Sequence, residues 1–259
     1  MNRDLLRPIV IPLATLATLV ANGLANALPL NGQTTGEISD RFPVLFTPAG
    51  YVFSIWGLIY LGLIAFSIYQ ALPAQRQNPR LRRIGFLFVL GSAANIAWIV
   101  LWHYERFPAT LAAMLVLLGS LLGIYLRLEI GRAPAGRGER ALAWAPFSLY
   151  LGWVTVATVA NVSVVLVEAG WDGLGLAPAV WTVAVLAVAL AIGAGVSLRR
   201  GDAIFPLVLT WAFAGIAVRQ QGGETLVAWG ALAGAVAAAA LALAGWAASR
   251  RLRPAAGPA

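Results

Sequence analysis

Eight stretches of this chain are long and apolar enough to cross a bilayer as helices, and nothing else in the sequence restricts its fold as severely. They run from about 8 to 29, 47 to 70, 84 to 104, 109 to 130, 142 to 167, 176 to 198, 203 to 220 and 226 to 248. Each is close to the roughly 17–25 residues that a hydrocarbon core about 30 Å thick demands. Composition agrees: 60% of the 259 residues are hydrophobic and 11% charged, against roughly 25% charged in a soluble domain. The expected fold is all-α, a polytopic membrane bundle of about eight helices.

The arginines test that partition, because loops on the cytoplasmic side of a membrane accumulate basic residues. All eighteen cations are arginine. With the N-terminus placed inside, fifteen of them (Arg3, Arg7, Arg76, Arg80, Arg82, Arg83, Arg127, Arg132, Arg137, Arg140, Arg199, Arg200, Arg250, Arg251, Arg253) fall on inner segments, and only Arg41, Arg106 and Arg219 fall outside. The bias alternates at every loop, so eight spans with both termini cytoplasmic are expected, and a bacterial inner membrane is the expected location. The net charge of +8 is then a matter of topology. Nucleic acid would need a basic patch on one folded face; these short loops point instead to the lipid bilayer, whose anionic headgroups attract them.

Several functions lack their chemistry here. There is no cysteine and no lysine, which removes disulfides, thiolate metal sites, covalent haem and a retinal Schiff base. No Gly-rich phosphate loop or HExxH helix occurs, so ordinary catalysis has no acid, base or metal site, and no cofactor is required. The single histidine, His103, is expected at the outer end of the third span next to water. All ten acids fall at loops or span ends, whereas ion-coupled transporters commonly hold ionisable groups at membrane depth.

What the spans do contain is tryptophan and asparagine at overlapping depths. At a rise of about 1.5 Å per residue, Phe53 and Trp56 lie about 9 and 14 Å below the outer surface, Trp98 and Asn95 about 9 and 14 Å, and Asn161 and Ala157 about 9 and 15 Å, with Trp153 near 21 Å. Asn95, Trp98 and Trp102 share one helical stripe, as do Trp153, Ala157, Ala160 and Asn161, and Thr15, Thr18, Asn22 and Asn26 form a polar stripe on the first span. Asparagine facing lipid is costly, so these stripes turn inward. Two readings remain: interhelical hydrogen bonds with a tryptophan-filled core, or a pocket open to the outer half of the membrane. Trp102 and Trp171 fit interfacial anchoring. The first connection ends in Phe42-Pro43-Val44-Leu45-Phe46-Thr47-Pro48, an apolar, proline-rich run that suits a lid folded back on the bundle.

Pro48, Val52-Phe53, Trp56 and Tyr60, followed by Asn95-Ile96-Ala97-Trp98 and then Trp153, Ala157 and Asn161, resemble the TspO/MBR family, the tryptophan-rich sensory proteins related to the translocator protein. The likeness covers about residues 8 to 167 and rests on P-x-x-x-V-F-x-x-W-x-x-x-Y, N-x-x-W and W-x-x-x-A-x-x-x-N in that order. Ala160 departs from the family's usual leucine, and Trp102-His103 from a common Phe pair. The resemblance implies a five-helix core over 1–170, an additional three-helix segment over 171–259, and a pocket that takes protoporphyrin IX or haem. Its ligand-binding candidates are Phe53, Trp56, Tyr60, Asn95, Trp98, Trp153, Ala157 and Asn161. Phe42, Pro43, Phe46 and Pro48 are lid candidates. A sensor that reports a small apolar ligand is the leading expectation, an exporter of the same ligands the alternative. Gly119-x-x-x-Gly123 and Gly230-x-x-x-Gly234 allow close helix approach, inside one chain or across a homodimer.

Overall fold

The computed structural model describes residues 3–251, and among these residues all regular structure is helical. Eight long helices carry the architecture: α1 (Arg3–Ala27), α2 (Ile55–Ala71), α3 (Gly85–His103), α4 (Phe107–Arg127), α5 (Ala145–Glu168), α6 (Pro178–Arg200), α7 (Ile204–Arg219) and α8 (Thr225–Arg251). Proline opens the first turn of α4 and α6, where a missing N–H costs no helical bond; Pro146 of α5 instead follows the π-helical turn Arg140–Trp144 inside one continuous helical run from Arg137. Gly201, at φ 64°, takes the left-handed turn that stops α6. Arg253, counted in the charge bias, lies outside the described residues.

Seven helices are long and apolar enough to cross a membrane; Ile204–Arg219 falls short. At 16 residues α7 is about 24 Å long. It packs against α5, α6 and α8 and buries Phe205, Val208, Leu209, Ala212, Phe213 and Ile216, leaving Leu207, Trp211 and Val218 as its exposed large apolar side chains. The protein is thus an integral membrane helix bundle. Around it, α1 packs on α2 and α3, α3 on α4, α4 on α5, and α5 back on α2, which closes a ring of five. Helices α6, α7 and α8 pack on one another, and α7 ties them to α5.

The polar stripes turn inward, as lipid requires. Thr15 and Ser67 hydroxyls meet at 2.7 Å between α1 and α2. Asn22 donates to Asn95 Oδ1 at 2.7 Å, and Asn95 donates in turn to the Tyr150 hydroxyl at 3.0 Å, so one chain of amides joins α1, α3 and α5. Asn26, at the end of α1, is exposed. His103 is a correction to the sequence reading: it is fully buried, with Nδ1 2.8 Å from the Ile99 carbonyl, while its own carbonyl accepts from Asn31. The connection after α1 folds over that end of α3 and excludes the water that was expected there.

The last helix uses its small residues internally. A Cβ on Gly234 would stand 2.9 Å from the Phe213 ring of α7, and one on Gly230 3.1 Å from Val183 of α6. Gly123 likewise meets Leu87 of α3, whereas Gly119 faces open space.

Candidate functional site

The connection between α1 and α2 is built rather than loose. Thr34 caps the short helix Thr35–Asp40 and Glu37 reaches back to the Thr34 N–H at 2.7 Å, the reciprocal capping box that satisfies two free N–H groups. Beyond it, residues 41–49 run across the bundle to the 3-10 turn Gly50–Ser54 that leads into α2. Phe42 sets its ring edge-on against Phe107, 5.0 Å between centroids. Ala49 N–H donates to Gly215 O at 3.0 Å, Gln220 Nε2 to Leu45 O at 3.1 Å, and Trp211 Nε1 to Val52 O at 3.0 Å. Three bonds therefore tie this segment to α7 and its C-terminal cap.

Two exposed ion pairs add to them. Arg219 meets Asp40 at 2.7 Å, and Arg41 meets Glu105 at 2.9 Å. The Arg41 guanidinium and the Gln33 amide, both donating to Glu105, hold its carboxyl below the ordinary value of 4.5. Exposed pairs of this kind contribute about 0–1 kcal/mol each; the larger hold is apolar, since Ile38, Val44, Phe46 and Val52 of the connection are buried in the core.

Beneath the segment lies a hollow of about 50 Å³. Two aromatic arms flank it. On α3, Trp98 and Trp102 stack at 5.5 Å, with Trp102 running on to Phe107 at 5.4 Å. On the other side Trp153 receives Phe53 and Trp56 edge-on at 5.8 and 6.2 Å. Asn161 fixes the α3 arm: its Oδ1 accepts from Trp98 Nε1 at 3.3 Å while its Nδ2 donates to Thr110 at 2.8 Å. Three lining residues keep a buried polar atom without a partner, namely Thr35 Oγ1, Thr47 Oγ1 and Trp153 Nε1. Such groups cost about 1–3 kcal/mol each when nothing meets them.

Of the residues singled out from the sequence, Pro48, Phe53, Trp56, Trp98, Trp153, Ala157 and Asn161 line this hollow. Tyr60 does not; it stacks behind Trp56 at 5.6 Å. Asn95 is consumed by the amide chain between helices, away from the hollow. Pro43 and Phe46 border a second, larger hollow of about 430 Å³ between α5, α6 and the connection. Trp102 corrects the interfacial assignment: it is 4% exposed, donates to Thr35 O at 3.2 Å, and lines the hollow. Its i+4 spacing from Trp98 was the available signal. Thr35, Ser39 and Thr47 were missed; the Thr34-x-x-Glu37 spacing could have announced the short helix that presents two of them.

A ring of five spanning helices, a second layer of three, and an indole-lined hollow beneath the first connection define a helical integral membrane protein with an aromatic interior site. The chain belongs to the TSPO-like family: the family model described as TSPO-like protein matches residues 8–244. That match continues through α6 and α7 and most of α8. Neither a curated protein nor a solved structure matches the chain.

Proposed function

We propose that this protein is a membrane receptor that binds a flat apolar ligand of the tetrapyrrole class, such as protoporphyrin IX or haem, among the indoles beneath its first connection. The carrying observation is the hollow itself: four tryptophans and Phe53, with two hydroxyls and one indole N–H buried and unpartnered among them. A macrocycle stacks on indole faces and its polar edge meets the unpartnered groups.

At about 50 Å³ the hollow holds a few water molecules at most, whereas ligand sites occupy about 300–1,000 Å³. Binding therefore requires residues 43–48 to lift. The same run of chain borders the 430 Å³ hollow through Pro43 to Phe46 and the small one through Thr47 and Pro48, so one outward movement enlarges the space from both sides. Within this run the one hydrogen bond to α7 is that from Gln220 to Leu45 O, and the burial of Val44, Phe46 and Thr47 is what the ligand's own burial has to offset.

Protoporphyrin IX added to the protein in detergent is expected to quench tryptophan emission saturably, with a higher half-saturation concentration in Trp56→Phe and Trp153→Phe. Quenching that never saturates, or that those variants leave unchanged, overturns the proposal. Proteoliposomes that accumulate or expel the porphyrin would convert the receptor into an exporter of the same ligand class.

A further inference from the structure

At the arginine-rich end of the bundle, opposite the first connection, a groove of about 970 Å³ opens between the α4–α5 connection and the α6–α7 junction. Five arginines line it: Arg132, Arg137, Arg140, Arg199 and Arg200. Topology demands arginines at this end of the spans, but it does not demand that those of two separate loops converge. Two neighbouring arginines at this end are matched: Arg80 pairs with Glu139 at 2.9 Å and Arg83 lies 3.9 Å from Glu129. None of the five forms an ion pair among the described residues.

The one carboxylate in the groove is already spent. Asp202 accepts from the Tyr125 and Ser148 hydroxyls at 2.9 and 2.7 Å with Oδ2, and its Oδ1 caps α7 through the N–H groups of Ile204 and Phe205 at 2.9 and 3.3 Å. It anchors the floor, and its one formal charge against five arginines leaves an excess of four; of the five, Arg200 is turned to the Ile130 carbonyl at 3.2 Å and the Tyr125 ring at 5.2 Å. The wall is apolar: a π-helical turn, Arg140–Trp144, swings its tryptophan into the lining, and the Arg140 guanidinium lies 5.8 Å from that ring. Arg140 Nε and Trp144 Nε1 are both buried without a hydrogen-bond partner, and Trp144 is 9% exposed. Unsatisfied donors beside excess positive charge call for acceptor oxygens. Among biological groups phosphate offers the most in the smallest volume, and the guanidinium fork matches it.

We propose that this groove is a binding site for a phosphate-bearing ligand, with Arg132, Arg137, Arg140 and Arg199 on the phosphate and Trp144 against the rest of the molecule. Its volume, near the upper end of ligand sites, exceeds what a lone phosphate fills. The source is either a phospholipid headgroup or a soluble phosphate ester, and the two are separable by experiment.

The full chain in neutral detergent is titrated with dioleoylphosphatidylglycerol, dioleoylphosphatidylcholine and inorganic pyrophosphate, with binding followed by native mass spectrometry and by the melting temperature. Arg132→Gln/Arg137→Gln/Arg199→Gln is compared with Arg76→Gln/Arg82→Gln/Arg83→Gln, which removes the same charge from another loop at this end. All six side chains are exposed, so both triples keep their cores. Saturable binding of phosphatidylglycerol over phosphatidylcholine, weakened about tenfold or more in the first triple only, supports a lipid headgroup. Pyrophosphate binding with the same dependence on the first triple supports a soluble phosphate. No discrimination between the two lipids together with no pyrophosphate binding, or equal weakening in both triples, overturns the site and leaves only general attraction between a basic surface and anions.

Discussion

Replacing Ala157 with valine tests whether the hollow under the first connection is unfilled space that a ligand uses. Ala157 lines it on α5, and valine adds two methyl groups facing a volume of about 50 Å³. At about 24 cal/mol per Å³ of cavity, filling it returns about 1.2 kcal/mol. Valine in a helix gives back up to about 0.7 kcal/mol through its restricted χ1. The closed, ligand-free protein should therefore gain about 0.5 kcal/mol, seen as a small rise in the melting temperature in detergent. Because a porphyrin must claim the same volume, its half-saturation concentration by tryptophan quenching should rise at least about twofold. A lower melting temperature would show that position 157 has no free space. Unchanged porphyrin binding would show that the ligand goes elsewhere.

Asn95→Ala removes the bonds to Asn22 and Tyr150, each worth about 0.6–1.7 kcal/mol in a membrane interior; it should lower the melting temperature and leave porphyrin saturation unchanged, since Asn95 does not line the hollow. Gly215→Ala places a methyl group against Val52 Cγ2. Val52 is buried and β-branched, so the overlap should cost about 1–3 kcal/mol and speed hydrogen exchange over residues 41–54; wild-type exchange rates there would contradict the docking onto α7. Glu105, held below 4.5 by Arg41 and Gln33, contributes its fastening in full above that value and loses it as the pH falls through its depressed value. Proteolysis of the first connection should therefore accelerate in acid, and Glu105→Gln should show the faster rate already at neutral pH.

The spans were legible because burial in lipid leaves one solution for a backbone, and each apolar run states it directly. The inward stripes were legible for the same reason: an asparagine cannot face acyl chains. What an amide does once inside was not, since Asn95 and Asn161 carry the same chemistry yet one is absorbed by Asn22 and Tyr150 while the other orients Trp98 beside the hollow. Spacing along one helix reports a face but not the partner opposite. His103 and Trp102 were misplaced for a related reason. Their exposure depends on a segment some seventy residues earlier, and nothing local to α3 announces that it folds across them. The size of the hollow was likewise beyond reach, because it is the remainder after many side chains have packed.

One consequence follows from how α7 is held. At its first turn Asp202 grips two of its N–H groups while bound to α4 and α5 through Tyr125 and Ser148; toward its other end Trp211, the Gly215 carbonyl and Gln220 are bonded to the first connection. A rod of about 24 Å fastened in this way is stiff along its length. A run 43–48 that lifts must either break the Gln220–Leu45 bond and pull on the Ala49 and Val52 bonds just beyond it or drag the helix with it, and dragging it would strain the aspartate's clasp at the opposite face of the bilayer.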